Sequence, residues 1–357
     1  MTTAHQPNAI LVLEVDGAGA HPAAWRLDNQ TPDSVLDAQQ IAKAVLAAES
    51  AGFHAVSIED SRLAPGSGPG ARLDAIQRAA FLGPLTHSIG LIPVADSIYT
   101  EPFHLSTQLS ALDGVSAGRA GWIVSAGGTA AEGAAVGREA VTAGELPGEV
   151  ADVLEASRRL WDSWEDGAVI KDVATGRYLD RSKVHYADFV GKRFSVKGSS
   201  ISPRPIQGQI PVFAAEPLDA DSDAILIGAP DLDGLLAAAQ GNSFPGIRIA
   251  ELDFVLDHAG EPAADRVEAL DGWEPWHSPR ARFTGTATDF TDYLLELLGH
   301  VGGVRLHPAE LRKDAQEFAA LVLPALRLAG ALKPIRTGNT LRETLGLPAA
   351  RNRFAAS

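Results

Sequence analysis

Short runs of apolar residues recur along the chain, and several of them are separated by segments with helical spacing. The runs have lengths that suit single strands. Eight of them span residues 9–15, 53–60, 89–95, 120–126, 210–216, 224–229, 247–256 and 302–308. Strands of a parallel sheet are buried on both faces and therefore read as continuous apolar runs. The pattern predicts a parallel sheet covered by helices.

Helical patterns occupy several of the intervals between these runs. They cover residues 33–51, 73–86, 149–164, 289–298 and 314–328, and Pro102 marks the first turn of a further helix. Proline is tolerated in a first turn because its missing N–H would have no helical partner there. Eight strands that alternate with helices in a chain of this length fit a closed (β/α)8 barrel, the TIM barrel.

An open, doubly wound sheet is the alternative α/β architecture. Such a sheet commonly carries a glycine motif between its first strand and first helix, with a third glycine at the start of the helix. Here Gly17 and Gly19 follow the first strand, but His21-Pro22 occupies the region where the third glycine is expected. The closed barrel is therefore the favoured fold.

Two segments interrupt the alternation of strands and helices. Residues 166–198 are polar and rich in turn formers, which predicts an insertion, and residues 257–282 form a second irregular segment. We expect one barrel domain over residues 1–333 and a C-terminal tail over residues 334–357.

A short helix is predicted within the tail. Thr340 and Glu343 have the spacing of a capping box, in which each side chain binds the backbone N–H of the other residue. The leucines that follow, Leu341, Leu345 and Leu347, need a surface to cover. That surface is either the barrel or a sister subunit, and we expect a homodimer.

Composition excludes several functional classes. The 357 residues carry a net charge of −15, which disfavours binding to a nucleic acid, and they include no cysteine for a disulfide or a thiolate metal site. No stretch reaches the roughly 20 apolar residues that a membrane helix requires. The N-terminus also lacks the pattern of a signal peptide. We expect a cytoplasmic protein that does not bind membranes.

Two common kinds of catalytic centre are also disfavoured. The ten histidines are scattered, without the paired spacing of a typical zinc site, so no metal is expected. No Gly-x-Ser-x-Gly motif is present for a serine hydrolase. Active sites of TIM barrels lie at the carboxyl ends of the strands. The candidates by that rule are Asp16, His21, Asp60, Asp96, Ser97, residues 125–129, Glu216 and His307.

Several strings together resemble the luciferase-like flavin monooxygenases, and within them the branch of nitrilotriacetate, pristinamycin and dibenzothiophene-sulfone monooxygenases. They keep their order along nearly the whole chain. The strings are GAHPAAWR (19–26), EDS (59–61), IYTEPFHLSTQLSALDGVSAGRAGW (98–122), LWDSWEDGAV (160–169), GKRFSVKGSSISPRPIQGQIPV (191–212) and GNTLRETLGLP (338–348). The resemblance implies a TIM barrel that uses reduced FMN, supplied by a separate flavin reductase. It also implies insertion of oxygen into a small organic substrate.

The resemblance also suggests site residues, and the chain departs from the family pattern at several of them. His21 is the catalytic candidate, and the cofactor-binding candidates are Asp60, Val94, Asp96, Ser125, Gly127, Gly128 and Glu216. Asp60 keeps the aspartate expected near the flavin, whereas Val94 replaces a threonine and Ile123 an asparagine. Near Ala143 and Pro147 the expected histidine and tyrosine are absent. Glu216-Pro217 stands where the family binds the flavin phosphate, and a carboxylate there opposes a phosphate.

Each candidate also has a purely structural interpretation. His21 could be a surface histidine stacked on Trp25, and Asp60 could cap a helix or brace a loop. The glycine-rich segment 125–128 could offer backbone N–H groups to an anion or be a plain loop. Asp113 and Arg119, at the opposite end of the barrel, are expected to be structural, with Arg119 paired to a carboxylate. A flavin-free barrel that serves as a partner subunit or a ligand-binding protein is the alternative function.

Overall fold

The computed structural model describes residues 9–29, 36–64, 70–215, 218 and 221–355. Strands in these ranges are numbered in chain order. They are β1 (Ile10–Glu14), β2 (Ala55–Ile58), β3 (Gly90–Asp96), β4 (Trp122–Ser125), β5 (Val169–Asp172), β6 (Arg177–Leu179), β7 (Phe189–Val190), β8 (Ser195–Val196), β9 (Val212–Ala215), β10 (Ala224–Ile227), β11 (Ile247–Leu256), β12 (Ala281–Gly285) and β13 (Gly303–Pro308).

Eight parallel strands close into a barrel, in the order β1, β2, β3, β4, β9, β10, β11 and β13. Ring closure comes from the pairing of β1 with β13, in which Ile10 lies opposite Gly303. The predicted TIM barrel is confirmed, and each of the eight predicted strands is present. Strand β12 was not predicted, and it extends the sheet beside the second half of β11.

Helices surround the barrel. They are α1 (Ala38–Ala51), α2 (Ala75–Leu82), α3 (Pro102–Val115), α4 (Ala130–Ala135), α5 (Leu146–Asp162), α6 (Leu232–Gly241), α7 (Ala263–Asp271), α8 (Ala287–Leu298), α9 (Leu311–Glu317), α10 (Leu323–Leu328) and α11 (Leu341–Leu345). A π-helical turn over Phe318–Val322 joins α9 to α10. Their ends follow from local chemistry: the side chain of Asp37 caps the start of α1, and Gly52 ends it in the left-handed conformation.

The segments predicted to be irregular contain regular structure. Residues 166–198 form two small antiparallel hairpins, β5 with β6 and β7 with β8. Helix α7 lies within residues 257–282, which were predicted to be without regular structure. Helix α4 follows the glycine-rich segment and begins with a capping box between Thr129 and Glu132. No helix in the described part of the chain has the length and apolarity needed to span a membrane.

The C-terminal tail closes the amino-terminal end of the barrel. Leu341 and Leu345 of α11 are 2% and 4% exposed and pack in one cluster with the side chains inside the barrel. Two glycines make room for Leu341, because a Cβ at Gly90 or Gly121 would lie 2.7 or 2.8 Å from its methyl carbons. The apolar side chains of the short helix are therefore buried within the same chain.

Arg119, at this closed end, has different partners from those predicted. It is 4% exposed, and its guanidinium donates to the carbonyls of Gly83, Thr86 and Ile89 and to the hydroxyl of Thr86. The expectation of a carboxylate partner is wrong, because these neutral oxygens, on residues that follow helix α2, satisfy the donors of the guanidinium. Asp113 instead accepts hydrogen bonds from Gln207.

Candidate active site

The open, carboxyl-terminal mouth of the barrel has two chemically different halves. Apolar side chains such as Val12, Ala55 and Ile249 fill the lumen of the barrel. Because side chains alternate along a strand, the residues two or four positions further along also face inward. On β11, β13, β1 and β2 these residues form an ionic half, made of Glu14, Ser57, Glu59, Glu251, Arg305 and His307. On β3, β4, β9 and β10 the corresponding side chains are Val94, Ser125, Ala215 and Leu226, called the neutral half, and Asp96 borders it at the end of β3, opposite Ser125.

Arg305 organises the ionic half. It is 4% exposed, and its Nη2 lies 2.5 Å from both Glu14 Oε2 and Glu59 Oε1, while Nη1 lies 2.8 Å from Glu251 Oε1. Its Nε donates to the hydroxyl of Ser57 at 2.9 Å. One guanidinium therefore serves three carboxylates, and the group as a whole keeps an excess of negative charge.

This crowding shifts the protonation equilibria of the carboxyl groups. Burial raises the pKa of Glu14 to about 7, and the charges of Glu59 and Asp16 add to the increase, although Arg305 opposes it. Burial would also raise the pKa of Glu251, but the neighbouring His307 and Arg305 lower it to about 2. Burial and the charge of Arg305 lower the pKa of His307. Near neutral pH, Glu14 is the member of the group that gains or loses a proton.

The Glu14→Gln substitution is expected to change how stability depends on pH. Folded Glu14 holds its proton up to about pH 7, whereas an unfolded glutamate loses it near 4.5. Its contribution to stability is therefore fully present below pH 4.5 and is lost as the pH rises through 7. Relative to the wild type, the variant should gain about 2–3 kcal/mol between pH 4.5 and 8. Urea unfolding at both pH values measures this gain.

The matched control is Glu268→Gln, which changes an exposed glutamate on α7. Its stability difference from the wild type should be the same at both pH values. A Glu14→Gln difference that also stayed constant would show that Glu14 titrates normally in the folded chain.

The neutral half has the chemistry of a surface for a flat aromatic ring. Val94 and Leu226 are 5% and 6% exposed at the top of the apolar lumen, Ala215 is exposed, and Ser125 is half-buried. These small and apolar side chains carry no charge and match an uncharged aromatic body, while the ion pair of Asp96 with Arg62 lies beside them at the end of β3. Of the predicted cofactor residues, Val94 and Ser125 lie here.

Asp96 and Asp60 are both engaged by the protein itself. Asp96 accepts hydrogen bonds from the backbone N–H groups of Ile98, Tyr99 and Thr100 and from Arg62 Nη2 at 2.6 Å. The two oxygens of Asp60 accept from the N–H groups of Ser61 and Ala75, the latter the first residue of α2. Both aspartates hold loops of the mouth in place. For Asp60, this is the bracing role that its structural interpretation predicts.

The glycine-rich segment is not open to an anion at Gly127. A Cβ on Gly127 would collide with the carboxylate of Glu132, and a Cβ on Gly128 would lie 2.5 Å from the carbonyl oxygen of Val141. Glu132 also accepts the backbone N–H of Thr129 at 3.0 Å. A phosphate here would meet a carboxylate and would find one of the N–H donors already used. The predicted Glu216 lies outside the described residues, as does Pro217.

His21 is buried in the wall of a cavity of about 680 Å³ beside the ionic half. Its Nδ1 accepts the N–H of Ala23 at 3.1 Å, and its Nε2 lies 3.1 Å from Asp271 Oδ1. The ring packs against Trp276, with centroids 5.2 Å apart, rather than on Trp25 as the surface interpretation had it. Burial lowers the pKa of His21. The donor pattern fits a neutral imidazole with its proton on Nε2.

The sequence interpretation missed several residues of this cavity. Glu14 and Glu59 line it from the barrel, and Trp276 and Arg280 line it from the segment between α7 and β12. One signal was available in the sequence. Glu14 and Arg305 are charged residues within otherwise apolar runs, and Glu14 is two positions beyond the lumen residue Val12. Trp276 and Arg280 carry no such signal, because a loop residue has no periodicity to place it. In the described ranges, no group of three or more histidine or acidic side chains could hold a metal ion.

Comparisons with known proteins agree with this architecture. A family model for luciferase-like monooxygenases matches residues 19–226. Nitrilotriacetate monooxygenase component A of Aminobacter aminovorans is 31% identical over 207 residues, which are 54% of this chain and 46% of that protein. One subunit of the pristinamycin IIA synthase of Streptomyces pristinaespiralis is 36% identical over 202 residues, 56% of this chain and 66% of that protein.

The match with the first of these relatives spans about half of that protein's length. Likeness in three dimensions extends further. A solved structure of riboflavin lyase, with a modified FMN and the substrate riboflavin, has a TM-score of 0.83. The superposition covers 96% of both chains at 20% sequence identity, a level at which the likeness shows a shared fold alone.

Proposed function

Because the chain belongs to the luciferase-like monooxygenase family, we propose that it is a flavin-dependent monooxygenase. In this proposal it takes reduced FMN from a separate reductase and inserts one oxygen atom into a small organic substrate. The observation that carries the proposal is the neutral half of the mouth, which offers an uncharged surface at the end of the barrel where TIM-barrel enzymes act.

Val94, Ala215 and Leu226 would hold the ring of the flavin, with Ser125 at its edge. Reduced flavin, when bound, supplies the electrons for the reaction with dioxygen, and the protein supplies orientation and a dry site. Arg62 and Asp96 fix the loop after β3 at one side of this surface. The phosphate end fits less well, because Glu132 lies against Gly127.

For His21 we propose a positioning role in catalysis. Both ring nitrogens are engaged by Ala23 and Asp271, so the imidazole ties the loop after β1 to the end of α7. That connection sets the width of the cavity beside the proposed flavin surface. The substrate would occupy this cavity, which His21 and Trp276 line together.

Ala215→Glu tests the location of the ring. It places a charge on the neutral half, and because Ala215 is exposed the fold should tolerate the longer side chain. Burying an unpaired carboxylate under the ring should weaken flavin binding at least about tenfold. Ala264→Glu, on the exposed face of α7, adds the same charge at a position outside the neutral half and outside the cavity lining. Fluorescence titration with riboflavin measures both. Equal affinities for the two variants would place the ring elsewhere.

Riboflavin and FMN are expected to bind with similar affinities. The ring surface is present, whereas the glycine-rich segment brings the carboxylate of Glu132 close to where a phosphate would lie. The phosphate should therefore contribute little. Titration of the same preparation with both flavins gives the ratio, and a many-fold preference for FMN would contradict this view of the phosphate end.

One observation favours the alternative of a flavin-free, ligand-binding barrel, namely the carboxylate of Glu132 at Gly127. A colourless preparation that binds neither flavin would support it. A homodimer, a cytoplasmic location and a transient reductase partner stay predictions. The tail no longer argues for the dimer, since Leu341 and Leu345 are buried within their own barrel.

A further inference from the structure

The ionic half and the adjacent pair of Arg280 and Asp253 together contain more carboxylates than guanidinium groups. Arg305 is shared by Glu14, Glu59 and Glu251, and Arg280 donates through Nε to Asp253 at 2.7 Å. Two guanidinium groups therefore face four carboxylates. Protonation of Glu14 removes only one of the two excess negative charges.

The other arginines of the cavity do not restore the balance. Arg72 and Arg78 both bind Asp16, with N–O distances of 2.8 and 2.5 Å. Glu274 lines the same cavity and adds a further carboxylate. The carboxylates named here number six and the guanidinium groups four. With Asp271, which binds His21, and with Arg26 and Arg282, which lie over the rings of Trp25 and Trp276, the totals are seven and six, so the carboxylates remain in excess.

Two buried side-chain atoms beside this group have no hydrogen-bond partner among the described residues. They are Asp253 Oδ2 and His307 Nε2, on residues that lie opposite each other in the pairing of β11 with β13. Glu251 Oε1 lies 3.4 Å from His307 Nε2 but outside hydrogen-bond geometry. Asp253 is fully buried and His307 is 2% exposed, and His307 lines the cavity. Leaving such an atom unpaired costs about 1–3 kcal/mol. The carboxylate oxygen of Asp253 needs a donor, and His307 Nε2 needs one in the tautomer that carries the proton on Nδ1.

We infer that the cavity binds a small organic cation, a primary ammonium on an aromatic or apolar body. Excess carboxylates attract the positive charge, and the N–H groups of an ammonium supply donors to Glu59 and to His307 Nε2, whose residues line the cavity, whereas Asp253 does not line it. Glu59 is the contact at the cavity, since its side chain is 35% exposed. Trp25 and Trp276 in the cavity wall offer the apolar body the ring surface that the guanidinium groups of Arg26 and Arg282 leave uncovered. The inference rests on the proposed function in one respect only, namely that the bound cation would be the substrate of the proposed reaction.

Three probes of similar shape test the charge preference: benzylamine, benzyl alcohol and benzoate. Each is titrated into the full chain by isothermal calorimetry near pH 7.5. Benzylamine should bind at least about tenfold more tightly than benzyl alcohol, and benzoate more weakly than either. Glu59→Gln should weaken benzylamine by about tenfold and change benzyl alcohol little. Glu139→Gln removes an exposed glutamate outside the cavity and should leave all three affinities unchanged.

Equal affinities for the three probes, preference for benzoate, or no binding of benzylamine would each overturn the inference. The wild-type comparison decides this even where Glu59→Gln folds poorly. Riboflavin titration of the wild type separates this result from the proposed function. Amine selectivity without flavin binding would leave the cation site and remove the monooxygenase proposal. Flavin binding without amine selectivity would do the reverse.

Discussion

Arg305→Met is expected to destabilise the folded chain by about 3–5 kcal/mol, because it removes the guanidinium that three carboxylates of the buried group share. Oxygens of Glu14 and Glu59 lie 2.5 Å from Nη2 of Arg305, and an oxygen of Glu251 lies 2.8 Å from Nη1. Methionine replaces the length of the side chain and removes its charge. A loss of this size is a large part of the stability of an ordinary domain.

Chemical unfolding at neutral pH measures this loss, with Arg177→Met as the matched control. Arg177 is on hairpin β5–β6, its side chain is 60% exposed, and its ion pair with Asp180 is long, at 3.8 Å. Surface pairs of this kind contribute about 0–1 kcal/mol, so the control should change little. Similar losses for the two variants would mean that the carboxylates are not buried as described.

The double substitution Leu341→Ala and Leu345→Ala is expected to cost about 4–10 kcal/mol, since each buried leucine contributes about 2–5 kcal/mol over alanine. Both leucines fill the amino-terminal mouth of the barrel, and Leu341 packs against Gly90 and Gly121. Truncation after Pro334 removes the same contacts and should act in the same direction.

Leu328→Ala is the control for this prediction, because Leu328 is 92% exposed at the end of α10. Its unfolding midpoint should match that of the wild type. If the double variant and the truncated chain melt at the wild-type temperature, helix α11 does not close the barrel in solution.

The barrel could be predicted from sequence because its information is local. Each buried strand is a continuous apolar run, and helices such as α1 carry their own caps in Asp37 and Gly52. Strand β12 and helix α7 were missed because their segment is polar, with exposed faces on both elements. What orders that segment is pairing with β11, a contact that no local pattern reports.

The site was less predictable because its residues meet across long separations. Arg305 and Glu14 are 291 positions apart, and only barrel closure brings β13 beside β1. Asp60 and Asp96 were assigned to the cofactor, but nearby backbone N–H groups engage both carboxylates. Local capping of this kind competes with ligand binding for the same oxygens.

The central claim is that a flavin ring rests on the neutral half of the barrel mouth. A crystal structure of the full chain with reduced FMN, prepared without oxygen, tests it most directly. The account predicts a ring in contact with Val94, Ala215 and Leu226, with its substrate-facing side open to the cavity lined by His21 and Glu59. A ring over Arg305 and its carboxylates, or a mouth without flavin at saturating concentration, would contradict it.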